Sequence, residues 1–354
     1  MSRFFSSNYS SLTPYTPGEQ PQDMQYVKLN TNESPFPPSP FAQRLARDAA
    51  GDLQLYSDPT CHILVETAAK TWDLDPEEIL FSNGSDELLY FAFLAFCDAE
   101  KPAVFPDITY GFYPVFAALA GIKYTEIPLD EDYRIRIPDY LNTGKTIFIA
   151  NPNAPTGIAL TSAEIEQILV SNPDTVVCVD EAYVDFGAES VVPLIRQYKN
   201  LLVIGTFSKS RSLAGGRLGF AVADRELIRD LNTIKYSFNP YNVNRMTIAA
   251  GVGALLDNEY FERNCRITRE NRAYLVDSLE KLGFRTLPSS ANFIFTTNSR
   301  ISGQSLYEKL KEKGVLVRHF TKKRLDDYVR ITVGSREQLD ILLEKISEIL
   351  EEKA

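Results

Sequence analysis

Four short polar motifs in this 354-residue sequence carry the side chains best suited to chemistry, and each follows an apolar run. In chain order they read FSNGSDEL, NPNAPTG, VDEAY and TFSKSRSLAGGRLGF. Lys209 stands in the last motif, between the strand that ends at Gly205 and a glycine-rich loop. A lysine held by a short polar turn can form a Schiff base with an aldehyde cofactor. We therefore treat Lys209 as the candidate catalytic residue.

Asp180 ends another apolar strand, where an unpaired carboxylate would be costly. A pyridinium nitrogen would be a suitable partner, because the carboxylate keeps that nitrogen protonated and lets the ring accept electrons. Tyr183 follows three residues later and can hydrogen-bond a phenolic oxygen on such a ring, while Tyr110 can stack on it. The alternatives are a helix cap for Asp180 and core packing for the two tyrosines.

A phosphate site is indicated by residues 83–86 (NGSD), which lie between an apolar strand and an apolar helix. Amides at the start of a helix bind anions without help from a basic residue. Thr206 and Ser208 add hydroxyl groups, and Arg217 adds a cation suited to bidentate contact with phosphate. The spacings of a dinucleotide-binding loop and of a P-loop are both absent, which disfavours a nicotinamide enzyme.

These motifs must be positioned by an alternation of strands and helices. Apolar runs of strand length occur at 79–81, 103–105, 146–150, 175–179, 201–205 and 218–222. Continuous runs such as TVVCVD are typical of strands covered on both faces, as in a mostly parallel sheet. Helical stretches such as 162–170 lie between them, so the pattern predicts an α/β architecture.

The chain divides into three predicted parts. Residues 1–40 contain seven prolines and form an N-terminal arm, because such a segment can be neither regular helix nor central strand. Residues 41–240 form the large domain and residues 241–354 a smaller α+β domain. The smaller domain is predicted to contain, in order, a helix at 258–282, a strand at 291–297, a helix at 305–313, strands at 315–320 and 328–333, and a helix from about 336.

Composition excludes several classes of function. The chain is 44% hydrophobic and 24% charged, with a formal net charge of −10, which disfavours binding to nucleic acid or anionic lipid. The longest apolar run, 88–97, is too short to span a membrane, and the N-terminus lacks a secretory signal, so we expect a cytoplasmic protein. Four separated cysteines and two histidines predict reduced thiols and no histidine-rich zinc site.

The ordered set of motifs resembles the pyridoxal-phosphate (PLP) aminotransferases of fold type I, and within them the histidinol-phosphate aminotransferases. The matching segments are 29–40, 56–60, 82–88, 151–157, 179–186, 206–220, 291–295 and 328–334. The resemblance implies a large domain with a mostly parallel seven-stranded sheet and a smaller C-terminal α+β domain. It also implies a homodimer and a ping-pong transamination of histidinol phosphate with 2-oxoglutarate.

Carried over residue by residue, the resemblance implies a role for each candidate. Lys209 is the Schiff-base lysine and the proton carrier, Asp180 faces the pyridine nitrogen, Tyr183 the ring hydroxyl, and Tyr110 the ring face. The remaining implied contacts are Ser85 and Asp86 (through backbone amides), Thr206, Ser208 and Arg217 to the cofactor phosphate, Tyr56 to the phosphate in the partner subunit, Arg318 and Arg330 to substrate anions, and Tyr15 and Asn30 in the arm over the substrate.

One position departs from the family pattern. An asparagine usually precedes Pro-Thr-Gly and contacts the ring oxygen, whereas this chain has Ala154 there and Asn153 beside it. Asn153 is a candidate for that contact, with Tyr183 the stronger one. Two other PLP functions remain open, an aromatic or broad-range aminotransferase and a threonine-phosphate decarboxylase-like enzyme. For Arg318, a surface ion pair remains the alternative role.

Overall fold

The computed structural model describes residues 2–10 and 12–352; Met1 and Ser11 of the predicted arm, and Lys353 and Ala354 of the predicted C-terminal domain, lie outside the described residues. Its strands are β1 (Val27–Lys28), β2 (Ile79–Ser82), β3 (Ala103–Pro106), β4 (Tyr124–Ile127), β5 (Thr146–Ala150), β6 (Val177–Asp180), β7 (Leu201–Thr206), β8 (Gly219–Ala223), β9 (Phe284–Thr286), β10 (Phe293–Asn298), β11 (Val315–Leu316), β12 (Arg318–His319) and β13 (Val329–Thr332). Its helices are α1 (Pro40–Ala49), α2 (His62–Trp72), α3 (Ser85–Phe96), α4 (Tyr113–Ala120), α5 (Ser162–Ser171), α6 (Arg225–Phe238), α7 (Arg245–Leu256), α8 (Asn258–Lys281), α9 (Gly303–Glu312) and α10 (Arg336–Glu351).

The large sheet has seven strands in the order β2-β8-β7-β6-β5-β3-β4, and β8 alone runs antiparallel to its neighbours. This confirms the predicted α/β fold with a mostly parallel seven-stranded sheet. All six predicted strands are present, and no end is shifted by more than two residues. The seventh, β4, was not predicted because it is an edge strand whose residues Tyr124, Thr125 and Glu126 are exposed and follow no apolar pattern.

Alternation within the strands builds a core on each face of the sheet. In β5, Ile147 and Ile149 join a cluster with α1, α2, α5 and α7, whereas Phe148 faces α3, α4 and α6. Phe148 stacks on Phe93 of α3 with ring centroids 4.0 Å apart. Successive strand side chains point to opposite faces, so one apolar run supplies both cores. The sheet is therefore fixed between two helical layers.

The smaller sheet, β12-β13-β10-β9, is antiparallel and packs against α8, α9 and α10. The predicted strand 315–320 is divided in two. Its first half, β11, pairs in parallel with β1 of the arm, and its second half, β12, pairs with β13. The arm therefore contributes a strand and the buried side chain of Leu29 to this part of the structure.

The three-part division at 1–40, 41–240 and 241–354 stays a prediction. Helix α7 lies just beyond the predicted boundary at 240, yet it packs against α1 and α2 and its Ile248 belongs to the same core cluster as the large sheet. Helix α8 ends one residue before the predicted position, and Gly283 follows it with a φ of 83°. No helix in the described parts of the chain is long and apolar enough to cross a membrane.

The contact between α1 and α7 gives a test of the fold. A Cβ on Gly253 would lie 2.6 Å from Ala42 Cα and 2.8 Å from Ala42 N, both backbone atoms. Gly253→Ala should lower the free energy of unfolding by about 1–3 kcal/mol, because overpacking forces two helices apart. Gly51→Ala is the control, since nothing lies within 4 Å of its added Cβ. Urea denaturation followed by circular dichroism measures both; equal stability of the two variants would contradict the close contact.

Candidate active site

A cavity of about 700 Å³ lies at the carboxyl ends of the parallel strands and is closed by the arm and by β12 and β13. Ligand sites in open α/β sheets favour this position. The structure brings thirteen of the predicted site residues to its walls: Tyr15, Asn30, Ser85, Asp86, Tyr110, Asp180, Tyr183, Thr206, Ser208, Lys209, Arg217, Arg318 and Arg330. Two others, Tyr56 and Asn153, are not among the lining residues.

Lys209 is half-buried in the turn that follows β7. Its Nζ donates a hydrogen bond to the Thr31 carbonyl at 3.4 Å and lies 5.7 Å from the centre of the Tyr183 ring. Among the described residues, no carboxylate forms an ion pair with Lys209. The amine is therefore held in the cavity by a single long hydrogen bond, which leaves it free to react.

Asp180 is the last residue of β6 and is 5% exposed. Its Oδ2 accepts a hydrogen bond from the Tyr113 hydroxyl at 3.3 Å, and its Oδ1 accepts one from the Ala182 amide at 3.1 Å. Burial raises the pKa of Asp180 to about 7. The bond to Ala182 closes a local turn rather than capping an α-helix. A buried carboxylate with two neutral donors, and with no ion pair to any cation that the structure describes, suits a protonated ring nitrogen.

Tyr183 lies on the cavity wall with its ring edge-on to Phe293, the centroids being 5.0 Å apart. Its hydroxyl oxygen accepts a hydrogen bond from Asn32 Nδ2 at 3.0 Å. Tyr110 donates its hydroxyl to Asp86 Oδ1 at 2.7 Å, and burial raises its pKa well above the ordinary value. Both tyrosines therefore face the cavity, each with its hydroxyl already bonded to one neighbour.

The predicted phosphate segments meet because β8 lies between β2 and β7. Gly219 of β8 pairs with Ser82 on one side and with Thr206 on the other. A Cβ on Gly219 would lie 2.4 Å from the backbone of Gly84 and Ser85, so only glycine allows this approach. The start of α3, the turn after β7 and the segment carrying Arg217 are thereby brought to one edge of the sheet.

The arrangement at this edge has the chemistry of an anion site. Ser85 is the first residue of α3, and the Thr206 hydroxyl donates to Ser208 Oγ at 2.9 Å. Arg217 Nη2 lies 3.3 Å from Asp86 Oδ2. Helix-start amides, two hydroxyls and a guanidinium together match a phosphate group. The residues present thus fit the phosphate, the aldehyde and the ring nitrogen of PLP.

The other end of the cavity holds two arginines. Arg330 Nη2 donates to the Asn30 carbonyl at 3.1 Å, and its Nε has no hydrogen-bond partner among the residues the structure describes. Arg318 donates to the carbonyls of Thr16 and Pro17 at 3.0 and 3.2 Å. Neither forms an ion pair with any carboxylate that the structure describes, so the ion-pair alternative for Arg318 has no support here. This end of the cavity therefore has two guanidinium groups that can bind an anion.

The arm supplies the remaining wall. Tyr15 stacks on Phe112 with centroids 4.1 Å apart, and burial raises its pKa. Asn30 is 1% exposed, donates to the Glu19 carbonyl at 2.8 Å, and leaves its Oδ1 without a partner. Glu19 is itself held by Lys311 and Tyr307 of α9. The predicted arm residues are thus fixed over the cavity by the smaller sheet and its helices.

Asn153 and Ala154 occupy the loop after β5. The amide of Asn153 accepts from the Thr109 hydroxyl at 2.8 Å and donates to the Ile108 carbonyl at 3.0 Å and to Thr156 Oγ1 at 3.1 Å. Its hydrogen-bonding groups are therefore used within the loops, while Ala154 lines the cavity. A cofactor contact by Asn153 stays a prediction.

Tyr56 lies on the surface and is 81% exposed. Its ring stacks on that of Tyr241 with centroids 4.6 Å apart. Leu53 and Leu55 beside it and Phe238 of α6 are each more than half exposed. Tyr56 therefore does not reach the cavity of its own chain and belongs to an exposed apolar surface.

Sequence reasoning missed two residues of the site. Tyr113 bonds Asp180, and the only sequence signal was its place three residues after Tyr110 in the same aromatic segment. Asn32 bonds Tyr183 from the arm, and it stands inside the motif LNTNES that also contains Asn30. No pattern within one segment indicates a bond between residues 151 positions apart.

Comparison with known proteins agrees with this geometry. A family model described as aminotransferase class I and II matches residues 24–346. The histidinol-phosphate aminotransferase of Brachyspira hyodysenteriae is 47% identical over 352 residues, 99% of each chain, and that of Acinetobacter baumannii (strain AYE) is 49% identical over 340 residues, 95% of this chain and 94% of the other. The crystal structure of histidinol-phosphate aminotransferase from Sinorhizobium meliloti in complex with pyridoxal-5'-phosphate has the same fold, with a TM-score of 0.90 at 22% identity over 100% of this chain and 99% of that one. The chain belongs to the class I and II aminotransferase family.

Proposed function

We propose that this PLP-dependent aminotransferase transfers the amino group of histidinol phosphate to 2-oxoglutarate, giving imidazole acetol phosphate and glutamate. The observation that carries the proposal is the convergence of Lys209, the buried Asp180 carboxylate and the anion-binding edge in one cavity. The substrate is supported by the names of the curated relatives, which are 45–49% identical over nearly the whole chain.

The residues of the cavity have separate roles in this reaction. PLP, when bound, supplies an aldehyde that takes up the amino group and a ring that delocalises electrons released at the substrate Cα. Asp180 holds the charge on the ring nitrogen, while Tyr183 and Tyr110 orient the ring. Lys209 Nζ binds the cofactor and then moves the proton from the substrate Cα. Asn153 stays a candidate for the ring oxygen.

The phosphate of the cofactor and the anion of the substrate use separate ends of the cavity. Ser85 and Asp86, through their amides, hold the cofactor phosphate together with Thr206, Ser208 and Arg217. Arg318 and Arg330 hold in turn the phosphate of histidinol phosphate and the carboxylates of glutamate, since a guanidinium pairs with either anion. Tyr15 and Asn30 cover the substrate from the arm.

We also infer a homodimer with shared active sites, in which Tyr56 reaches the cofactor phosphate of the partner. The exposed apolar surface around Tyr56 supports this inference, because monomers seldom leave such surfaces uncovered. We place the enzyme in the cytoplasm, an inference supported by its four free, buried cysteines.

Single-turnover absorbance of the PLP-loaded enzyme tests the substrate. Histidinol phosphate should convert the bound cofactor at least ~100-fold more efficiently than phenylalanine, because its phosphate carries more negative charge and more acceptor oxygens for the two arginines than the single carboxylate of phenylalanine. 2-Oxoglutarate should restore the original spectrum. Equal efficiency with phenylalanine would favour a broad-range aminotransferase, and release of carbon dioxide from threonine phosphate would favour a decarboxylase.

Asp180→Asn tests the electrostatic role of the carboxylate. The variant keeps the size of the side chain and removes its charge, so the chemical step should slow about 10²–10³-fold while cofactor binding falls less. Glu181→Gln is the matched control, because Glu181 is equally buried but is bonded to Ser190 and Val191 and does not line the cavity. Rescue of Asp180→Asn by an N-methyl PLP analogue is expected, and near wild-type turnover of that variant with PLP would refute the role.

Mixed dimers test the shared site. Lys209→Ala and Tyr56→Ala protomers should each be impaired alone, and their mixture should regain roughly a quarter of wild-type activity, since each hybrid dimer has one intact site. A protomer carrying both substitutions, mixed with wild type, should form hybrids that contribute little. Absence of recovery in a verified heterodimer would contradict shared sites.

A further inference from the structure

Three side chains from distant parts of the sequence form a continuous hydrogen-bonded relay at the cavity wall. Thr332 of β13 donates its hydroxyl to Asn32 Oδ1 at 3.1 Å, and Asn32 Nδ2 donates to the Tyr183 hydroxyl oxygen at 3.0 Å. Asn32 and Thr332 are 1% and 3% exposed. The relay therefore runs from the smaller sheet through the arm to the large domain, with two buried members and with Tyr183 at the cavity.

The hydrogen bonds of the two buried residues determine which group donates and which accepts at each step of the relay. The backbone amide of Asn32 donates to Thr332 Oγ1 at 2.9 Å, so the threonine oxygen is already an acceptor. The buried Thr332 proton needs an acceptor of its own, which Asn32 Oδ1 supplies. If the side-chain amide of Asn32 were flipped, its Nδ2 would face the Thr332 hydroxyl, and the Thr332 proton would have no acceptor. Asn32 Nδ2 therefore faces Tyr183.

The backbone of Asn32 is held as firmly as its side chain. Its carbonyl accepts from Asn292 Nδ2 at 3.0 Å, and its φ of 57° lies in the left-handed region that asparagine tolerates better than most residues. The carbonyl of Leu29, three residues earlier, accepts a hydrogen bond from the Thr332 backbone amide at 2.9 Å. The side-chain amide of Asn32 thus has one orientation available to it.

This orientation leaves the Tyr183 proton free. Tyr183 accepts from Asn32 and donates to no residue that the structure describes, so its O–H is available to the cavity. Ala154, also on this wall, has no polar side-chain atom. The titratable groups that face Tyr183 are Lys209, Arg330, Tyr15 and Tyr110.

We propose that Asn32 and Thr332 are positioning residues that compel Tyr183 to act as a hydrogen-bond donor to the ring oxygen of PLP. The inference rests on the proposed function, because it requires PLP to be bound at Lys209. A hydrogen bond donated to the ring oxygen stabilises its negative charge, so the bound cofactor loses its proton at a lower pH. The relay therefore sets the pH at which the cofactor changes its absorbance.

Spectrophotometric pH titration of the PLP-loaded protein tests the relay without turnover. Asn32→Asp keeps the size and tolerates the same φ, but a carboxylate accepts hydrogen bonds and would draw the Tyr183 proton away from the cavity. We expect the pH midpoint of the cofactor's absorbance change to rise by about one pH unit. In a Tyr183→Phe background the same substitution should shift the midpoint by less than half as much. Equal shifts in both backgrounds would mean that the new charge acts directly, and would overturn the relay.

Neutral variants of Thr332 provide a second test of the relay. Thr332→Val should raise the midpoint by several tenths of a pH unit, because Asn32 loses the partner that orients it, and Thr332→Ser should restore the wild-type value. Thr296→Val on the adjacent strand β10 is the matched control, since its buried hydroxyl bonds Thr286 and Arg285 instead. If Thr332→Val titrates like wild type, the relay is refuted.

The proposed function has a separate readout in the same samples. Borohydride reduction and peptide mapping should place the phosphopyridoxyl group on Lys209 in wild type and in each variant of Asn32, Tyr183, Thr296 and Thr332. Labelling of Lys209 with unchanged midpoints refutes the relay alone. Failure to label Lys209 in the wild-type protein refutes the proposed function, and the relay with it.

Discussion

The buried carboxylate of Asp180 is the constraint on which the site depends. It ends a strand that is covered on both faces, and its two hydrogen bonds come from neutral donors. An ionised group in such a position is stable only if a cation is bound beside it, and without one its pKa rises toward neutrality. The cavity in front of it is therefore more than an empty volume. A protonated heterocycle bound there would remove an electrostatic cost that the fold alone leaves in place.

The topology of the sheet brings the other groups to this carboxylate. Parallel strands present their carboxyl ends at one edge, so Asp180, which is in register with Ile204, and Thr206, two residues further along, end adjacent strands there. The antiparallel strand β8 begins at that edge, and Gly219, its first residue, allows it to pass the start of α3. Anion-binding groups from three segments that are far apart in the sequence are thus assembled at one edge of the sheet.

Much of this could be predicted from the sequence, because the strongest signals were local. Buried strands such as β5 and β7 are continuous apolar runs, and the polar residues that end them mark the edge where a ligand binds. The exposed strand β4 has no such signal, and the division of 315–320 depends on β1, which lies almost 300 residues earlier. The pairing of Asn32 with Tyr183 depends on a tertiary contact in the same way.

Strand β13 joins two functions that are usually considered separately. Arg330 and Thr332 lie two residues apart on it, and they hold the arm at Asn30 and Asn32 respectively. An anion that draws on Arg330 competes with the Asn30 carbonyl for the same guanidinium. Thermodynamic linkage makes such coupling reciprocal: whatever factor anion binding applies to the proton affinity of the cofactor, protonation of the cofactor applies to anion affinity. With the proposed relay in place, β13 would therefore couple substrate recognition to cofactor ionisation through their shared hold on the arm.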